Sequence, residues 1–289
     1  MAAEKKTVGL IGLGLMGQAL AARLIPAGFR VLGHDIDAAK GAKLQAMGGE
    51  AAALADVAKC GIVVLAVFST DQVEDVVENT LLPAGHGNIV LCTSTCDPDR
   101  IAALAARVVP KGVRFLETPV SGSSGQVSRG EGTGLIGGDP KTAAEAADVL
   151  DALFPKRYHI GKAGDGGRAK LAINLILGLN RMALAEGLVF ATVLGLDPKA
   201  FLDVARASAA YSQVMDIKGG KMIDREFKAE GFVHQSLKDF SLMREQAAAR
   251  GQTLPALELN KSLLESCVRA GEADHDNSAV IEEIRRRRK

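Results

Sequence analysis

The stretch VGLIGLGLMGQAL, residues 8–20, links a short apolar run to a longer amphipathic run through three glycines. In a strand–turn–helix unit, Gly12 would permit the tight turn, Gly14 the close approach of a pyrophosphate, and Gly17 the close packing of helix on strand. The amino terminus of that helix would hold the negative charge of the phosphates. The spacing therefore predicts a dinucleotide-binding turn at the start of a parallel sheet.

An acidic residue follows the second predicted strand. The segment GHDID places Asp35 about 20 residues beyond the glycine turn, where a carboxylate accepts a hydrogen bond from an adenosine ribose. A carboxylate at this point repels a 2′-phosphate, so we expect a dinucleotide whose adenosine ribose has a free 2′-hydroxyl. Leu13 and Met16, which lie between the glycines, complete the predicted cofactor residues of this motif.

The first half of the chain repeats the strand–helix pattern. Short apolar runs alternate with longer amphipathic runs, which is typical of βαβ units and a parallel sheet. The predicted strands are residues 7–11, 30–34, 62–67, 89–93, 114–117 and 134–136. The first predicted helix covers residues 18–27. Another begins with Asp139 as its N-cap and Pro140 in its first position.

Helical periodicity replaces this alternation in the second half of the chain. A long helix is expected over residues 170–196, and alanine- and leucine-rich helices follow it. We therefore predict an α/β fold with two domains. A Rossmann-type doubly wound parallel sheet would occupy residues 1–163, and an all-α C-terminal domain would occupy residues 164–289, joined to the first by the long interdomain helix.

Composition limits the classes of partner. The chain has 289 residues, of which 47% are hydrophobic and 24% charged, and its formal net charge is +1. This balance indicates a globular protein without an overall field for nucleic acid, and we interpret the basic block at residues 285–289 as a solvated end. Arg181 and Glu186 interrupt the long helix too soon for a span of about 20 apolar residues. We expect neither nucleic acid nor a membrane as a partner.

Three residue patterns bear on compartment and metal binding. The apolar run after the amino-terminal lysines is interrupted by glycines and lacks a signal-peptide cleavage pattern, so a cytoplasmic location is expected. The cysteines, Cys60, Cys92, Cys96 and Cys267, form no CxxC pair, which favours buried free thiols. The histidines lack metal-ligand spacing, and no metal is predicted.

A polar pair interrupts the apolar face of the long helix. The segment GDGGRAKLAINLILGLNRM, residues 164–182, sets Lys170 and Asn174 four residues apart, so their side chains share one face, one turn apart. A lysine that faces a cleft loses hydration, which lowers its pKa and allows proton exchange near neutral pH. Lys170 is therefore a candidate acid–base residue.

Four motifs in a fixed order carry a family resemblance. They are GLGLMG near the amino terminus, TPVSGSSG at residues 118–125, GDGGRAKLAIN at residues 164–174 and LKDFSLM at residues 237–243. With these motifs the chain resembles the β-hydroxyacid dehydrogenases. That group contains 3-hydroxyisobutyrate dehydrogenase, tartronate semialdehyde reductase and succinic semialdehyde reductase, and it is similar to 6-phosphogluconate dehydrogenase.

The resemblance implies a role for each residue of the substrate site. Lys170 would be the proton donor and acceptor, and Asn174 would help orient the lysine and the substrate. Ser121 Oγ, with the backbone amides of Gly122 and Ser123, would form a small concavity that binds a carboxylate. The family usually has glycine at the position of Ser123, so this chain adds a hydroxyl group beside the substrate.

The resemblance also extends the cofactor site beyond the glycine turn. Thr95 would line the nicotinamide pocket and Lys238 would reach toward the nicotinamide end, whereas Asp239 is interpreted as structural. Val67 and Phe68 match the loop after the third predicted strand, which contacts the cofactor, although the family often has proline at the position of Phe68.

The implied activity is hydride transfer between a nicotinamide cofactor and a small 3-hydroxy acid or the corresponding semialdehyde acid. The cofactor would be NAD or NADP, with NAD favoured because of Asp35. Lys170 would act as general acid and base in a cleft between the two domains. The predicted partner is a small-molecule carboxylate, and the resemblance implies a homodimer or homotetramer formed through the helical domains. Two alternatives stay open: an imine reductase, which usually has an acid or tyrosine at the lysine position, and a non-catalytic dinucleotide-binding module of the same fold, which lacks that lysine.

Overall fold

The chain divides into two compact units. The computed structural model describes residues 6–85 and 87–287. Unit 1 comprises Met1–Lys170 and unit 2 comprises Leu171–Lys289. Among the described residues, every strand lies in unit 1, and unit 2 consists of helices and their connections.

One sheet of nine strands lies in the described part of unit 1. The strands are β1 Thr7–Ile11, β2 Arg30–His34, β3 Glu50–Ala51, β4 Ile62–Leu65, β5 Ile89–Cys92, β6 Arg114–Glu117, β7 Val120–Ser121, β8 Thr133–Gly138 and β9 Lys156–Gly161. Their order is β3-β2-β1-β4-β5-β6-β8-β7, and β9 pairs with β8. The strands from β3 to β6 pair in parallel. This order is that of the doubly wound dinucleotide-binding sheet, so the predicted fold class is confirmed.

All six predicted strands are present. Three have the predicted bounds, at residues 7–11, 30–34 and 114–117. Strands β4 and β5 end earlier than predicted, at Leu65 and Cys92, and a hydrogen bond from Ser94 Oγ to Val67 O, at 2.7 Å, links the segments that follow them. Strand β9 is missing from the prediction because most of its side chains are exposed and give no apolar alternation.

Helices cover both faces of the sheet. On the central strand β4, Val64 contributes to one apolar cluster, and its neighbours Val63 and Leu65 contribute to the other. Burial on both faces explains why this strand is a continuous apolar run. The helices of unit 1 are α1 Leu15–Leu24, α2 Ala38–Ala46, α3 Leu54–Val57, α4 Thr70–Val76, α5 Leu82–Ala84, α6 Pro98–Val108, α7 Ser124–Ser128, α8 Pro140–Glu145 and α9 Ala147–Leu153.

Helix starts follow the local capping residues. The helix predicted at residues 18–27 begins earlier, at Leu15, because Gly14 is its N-cap. The second predicted start is confirmed, since the Asp139 side chain caps α8 and Pro140 occupies its first position. Turn residues therefore set these boundaries more closely than apolar periodicity does.

Helix α10, Asp165–Val193, begins in unit 1 and continues into unit 2. It starts earlier than the predicted residue 170 because the glycine-rich turn is itself helical. The later helices are α11 Pro198–Arg206, α12 Gln213–Asp224, α13 Val233–Ala248, α14 Pro255–Arg269 and α15 Val280–Arg286. In the searched part of the chain, α10 alone is long and apolar enough to cross a membrane, a criterion that core helices of soluble proteins also meet. Leu184, Ala185 and Leu188 of α10 contribute to the apolar core of unit 2.

Candidate active site

The carboxyl ends of the central parallel strands lie in one row. The register pairs Ile11 with His34 and Leu65, Leu65 with Cys92, and Cys92 with Glu117. Neighbouring strands lie about 4.8 Å apart, so the segments that follow these residues emerge side by side at one edge of the sheet. Doubly wound folds bind their ligands at this edge, where the strand order reverses.

The predicted site residues of unit 1 that follow these strands share this edge. In spatial order they are Asp35 after β2, the turn from Gly12 to Gly17 after β1, Val67 and Phe68 after β4, Thr95 after β5, and Ser121 to Ser123 beyond β6. The same order runs from the ribose position to the substrate position in the sequence prediction. One row of strand ends therefore brings together residues that are far apart in the chain.

The glycine turn has the shape that a pyrophosphate requires. Gly12 has a φ of 93°, and a Cβ on it would lie 2.5 Å from Ala66 O. A Cβ on Gly17 would lie 2.0 Å from Gly12 O. Gly14, the N-cap of α1, differs, because apart from its chain neighbours no described heavy atom lies within 4 Å of a Cβ built there. The turn is thus closed at two glycines and open at Gly14, which fits the phosphates of a dinucleotide.

Asp35 is held at the end of β2 by backbone amides. Its Oδ2 accepts from the Leu13 amide at 2.7 Å, and its Oδ1 accepts from the Asp37 amide at 2.9 Å. Lys40 Nζ lies 3.2 Å from Oδ1. Burial acts to raise the pKa of Asp35, but these amides and Lys40 outweigh it, and the pKa lies below its usual value. The carboxylate is therefore ionised and fixed beside the glycine turn.

Hydrogen bonds also hold the loops after β4 and β5. Ser94 Oγ donates to Val67 O at 2.7 Å, and the Phe68 amide donates to Gln72 Oε1 at 2.8 Å. These bonds fix the backbone next to Thr95, while the Phe68 ring stays exposed. Val67 and Thr95 thus lie on restrained backbone at the sheet edge.

The loop that contains Ser121 closes on itself. Gly122 has a φ of 143°, and Ser123 is the N-cap of α7. The Ser123 amide donates to Gln126 Oε1 at 2.9 Å, and Ser123 Oγ accepts from the Gln126 amide at 3.3 Å. The Ser123 amide, which is predicted to bind a substrate carboxylate, therefore donates to Gln126 within this capping box.

Lys170 lies near the start of α10, and 7% of the residue is exposed. One turn later, Asn174 Nδ2 donates to Asp239 Oδ2 at 3.0 Å. Lys238 Nζ lies 3.2 Å from Asp239 Oδ1. Asp239 therefore brings two predicted site residues, Asn174 and Lys238, into one cluster of unit 2.

Two carboxylates hold other parts of the site. The prediction treats Asp239 as structural, and its carboxylate accepts a hydrogen bond from Asn174. The prediction omits Glu117, the last residue of β6, whose carboxylate accepts a hydrogen bond from the Gly164 amide just before α10. Each has a local signal, since Glu117 directly precedes the TPVSGSSG motif and Asp239 lies inside the LKDFSLM motif.

Family models cover both halves of the chain. Residues 7–161 match the NAD binding domain of 6-phosphogluconate dehydrogenase, and residues 164–284 match a model described as NAD-binding of NADP-dependent 3-hydroxyisobutyrate dehydrogenase. The chain belongs to the β-hydroxyacid dehydrogenase family. As a β-hydroxyacid dehydrogenase it is a nicotinamide-dependent oxidoreductase, which confirms the resemblance and the predicted class of cofactor.

Individual relatives of this β-hydroxyacid dehydrogenase span nearly its whole length. The 2-hydroxy-3-oxopropionate reductase of Escherichia coli is 30% identical, over 96% of this chain and 96% of that protein. The L-threonate dehydrogenase of Cupriavidus necator is 28% identical, over 96% of this chain and 95% of that protein. The crystal structure of a 3-hydroxyisobutyrate dehydrogenase from Salmonella typhimurium is similar, with a TM-score of 0.88 at 27% identity. The match covers 96% of this chain and 99% of that chain.

Imine reductases are more distant from this β-hydroxyacid dehydrogenase. The imine reductase from Pseudomonas sp. has a TM-score of 0.67 at 16% sequence identity. At that identity the similarity shows a shared fold alone.

Two alanine substitutions in the glycine turn distinguish an effect on dinucleotide affinity from an effect on the free energy of unfolding. Gly14→Ala adds a Cβ in open space, so the free energy of unfolding should fall by about 1 kcal/mol or less. The dinucleotide Kd should rise about tenfold or more, because the Cβ blocks the approach of the pyrophosphate. Gly17→Ala forces a Cβ against Gly12 O and should lower the free energy of unfolding by about 1 to 3 kcal/mol.

Denaturant titration and fluorescence titration with the reduced dinucleotide measure these two effects. Unchanged dinucleotide affinity in the Gly14→Ala variant would show that the phosphates bind elsewhere.

Proposed function

We propose that this protein transfers a hydride between a nicotinamide cofactor and a small 3-hydroxy acid or the corresponding semialdehyde acid. The observation that carries the proposal is Lys170, a buried lysine near the start of α10, one turn before Asn174. The relatives support a small carboxylate substrate, since their names include 2-hydroxy-3-oxopropionate reductase and L-threonate dehydrogenase.

Lys170 exchanges the proton that accompanies hydride transfer. In oxidation, uncharged Lys170 Nζ accepts the hydroxyl proton of the substrate while the hydroxyl-bearing carbon loses a hydride and becomes a carbonyl carbon. In reduction, protonated Lys170 returns that proton to the carbonyl oxygen. A dinucleotide bound at the glycine turn would supply the hydride acceptor or donor. Asn174, held by Asp239, orients the substrate beside the lysine.

Ser121 binds the substrate carboxylate in this proposal. It is the last residue of β7, and Gly122 after it turns the chain away. A hydrogen bond from Ser121 Oγ to a carboxylate is worth about 1.5 to 3 kcal/mol. The Ser123 capping box shapes the loop, so recognition of the carboxylate depends on Ser121 and the Gly122 backbone.

Substitution of Lys170 tests the proton transfer. Lys170→Ala should lower kcat by about a hundredfold or more while the dinucleotide still binds. Lys170→Arg keeps the positive charge, but an arginine does not lose its proton, so this variant should be equally slow. Ser121→Ala is the contrasting control, since it leaves the proton exchange in place and should mainly raise KM, by about tenfold.

NAD(P)H absorbance during turnover of a panel of small 3-hydroxy acids and semialdehyde acids supplies these constants. A kcat of the Lys170→Ala variant close to that of the parent enzyme would contradict the mechanism.

We propose that the protein prefers NAD to NADP. Asp35, ionised and fixed beside the glycine turn, suits a ribose hydroxyl and repels a 2′-phosphate. Lys40 Nζ, 3.2 Å from Asp35, offsets part of that repulsion. A remaining difference of about 1.4 kcal/mol corresponds to a tenfold preference.

The Lys40 side chain allows a test of this preference. NADH should bind about tenfold more tightly than NADPH at equal ionic strength. Lys40→Gln removes the offsetting charge and should weaken NADPH binding further, with NADH affinity unchanged within about twofold. Lys43→Gln, a change on the same helix α2, is the matched control and should leave the ratio of the two Kd values unchanged. Equal or tighter binding of NADPH by the parent protein would contradict the role of Asp35.

We also propose that the protein is a homodimer or homotetramer that uses α10. Ile176, Ala183 and Phe190 recur every seven residues and are exposed, and Val193 continues the same face. Ile176 is 62% exposed, Phe190 63% and Val193 72%. Apolar side chains with seven-residue spacing are typical of a helix that packs against another helix. A second copy of α10 presents the same face, so it suits this surface.

Sedimentation velocity tests this association. The parent protein should sediment as a dimer or tetramer, and Phe190→Glu, which places a charge in the apolar face, should shift it toward the monomer. Gln252→Glu makes the same change in charge at an exposed loop residue and should leave the oligomer intact. A monomeric parent protein would contradict the proposal.

A further inference from the structure

The carboxylate of Glu117 lies against the amino terminus of α10. Glu117 is 3% exposed. The Gly164 amide donates to its Oε2, and the Gly167 amide also donates to the carboxylate. The first amides of a helix lack partners within the helix, so an acceptor from elsewhere must satisfy them. Glu117 supplies that acceptor from the end of β6.

Glycines make room for this contact. A Cβ on Gly167 would lie 2.8 Å from Glu117 Oε1, and a Cβ on Gly137 would lie 2.8 Å from Oε2. A Cβ on Gly166 would lie 2.8 Å from Leu135 O. The GDGG turn before Lys170 therefore allows β6, β8 and the first turn of α10 to meet around one carboxylate.

Glu117 thus connects two motifs of the proposed active site. Along the chain it directly precedes Thr118, the first residue of the TPVSGSSG motif that contains Ser121. Through its hydrogen bonds it holds the turn that precedes Lys170 on the same helix. A shift of the carboxylate would move the start of α10 relative to the Ser121 loop.

We propose that Glu117 is a positioning residue whose ionised carboxylate fixes the first turn of α10 and thereby the place of Lys170 Nζ relative to Ser121. This inference rests on the proposed catalytic role of Lys170. Glu117 acts through the helix backbone and takes no part in the proton transfer. A misplacement of about 1 Å at a reacting group costs up to a hundredfold in rate.

The surroundings of Glu117 set the pH at which the carboxylate is ionised. Burial raises the pKa of Glu117 to about 7, while the two glycine amides and Arg168 act in the opposite direction. The titratable and charged groups near it are Asp165 and Arg168 on α10, Asp99 on α6 paired with Arg168, Cys92 on β5 and Cys96 after it. A protonated carboxyl turns one acceptor oxygen into a hydroxyl donor, so one of the two amide bonds weakens.

In the reduction direction, the pH dependence of the rate distinguishes the titration of Glu117 from that of Lys170. In reduction of a semialdehyde acid, Lys170 must begin protonated, so its titration lowers the rate only as pH rises. Glu117 must be ionised, so its titration lowers the rate as pH falls through about 7. A loss of kcat on the acid side of the reduction profile is therefore the signature of Glu117.

Glu117→Gln is the direct test. We expect kcat for reduction at pH 8 to fall about tenfold or more, with the dinucleotide Kd unchanged within about twofold. The acid-side loss should disappear, because the amide does not titrate. Asp165→Asn is the matched control on the same turn of α10, and it should change kcat at pH 8 by about twofold or less and keep the acid-side loss, because its carboxylate pairs with Arg168 and Glu117 is still present.

Gly167→Ala gives a second test if Glu117→Gln does not fold. Alanine favours the helix, and its Cβ displaces the carboxylate without removing it, so kcat should fall while the protein stays folded. If both variants keep the parental kcat and the parental acid-side loss, the inference is wrong. The Lys170→Ala variant distinguishes the two proposals. If it is slow while Glu117→Gln is not, the positioning role fails alone, and if it is fast, the proposed function fails.

Discussion

The alignment of five strand ends is the constraint on which the rest of unit 1 depends. His34, Ile11, Leu65, Cys92 and Glu117 lie in one row across β2, β1, β4, β5 and β6. At about 4.8 Å per strand, the row is about 19 Å long. Backbone hydrogen bonds fix every step, so the proposed ribose, phosphate, nicotinamide and substrate positions share one frame. The loops that follow these strands carry different side chains, but each loop begins at a position that the row fixes.

The site uses backbone amides more than side chains to hold its charged groups. Asp35 and Glu117 stand at the two ends of the row, and each carboxylate accepts from two amides. The outcomes differ because their surroundings differ. The amides of Asp37 and Leu13, together with Lys40, lower the pKa of Asp35 below its usual value, whereas burial raises that of Glu117 to about 7. One carboxylate is therefore ionised at neutral pH, and the other titrates near neutral pH.

The sequence predicts the features that depend on residues close together in the chain. The glycine spacing predicts the turn of Gly12, Gly14 and Gly17, and periodicity predicts the parallel sheet and the helical second half. The missing features depend on partners far along the chain, since Glu117 and Gly164 are 47 residues apart and Asn174 and Asp239 are 65 apart. The strand β9 lacks apolar alternation because most of its side chains are exposed.

Prediction from the sequence also missed the partner of the Ser123 amide, although Gln126 is only three residues away. Its hydrogen bond to Gln126 is a capping box, a local pattern that the sequence does contain as serine followed three residues later by glutamine. The resemblance implies a substrate role for the same amide. Local hydrogen bonding therefore gives this amide a partner within the chain that the motif match does not predict.

Isotope transfer tests the central claim most directly, that this protein moves a hydride between a small hydroxy acid and nicotinamide. The best substrate from a panel of 3-hydroxy acids, with deuterium on its hydroxyl-bearing carbon, is oxidised in ordinary water, and the reduced dinucleotide is examined by mass spectrometry and proton NMR. The account predicts one deuterium on each reduced nicotinamide ring, on a single face of C4. Release of the deuterium to water, with unlabelled reduced dinucleotide, would contradict it.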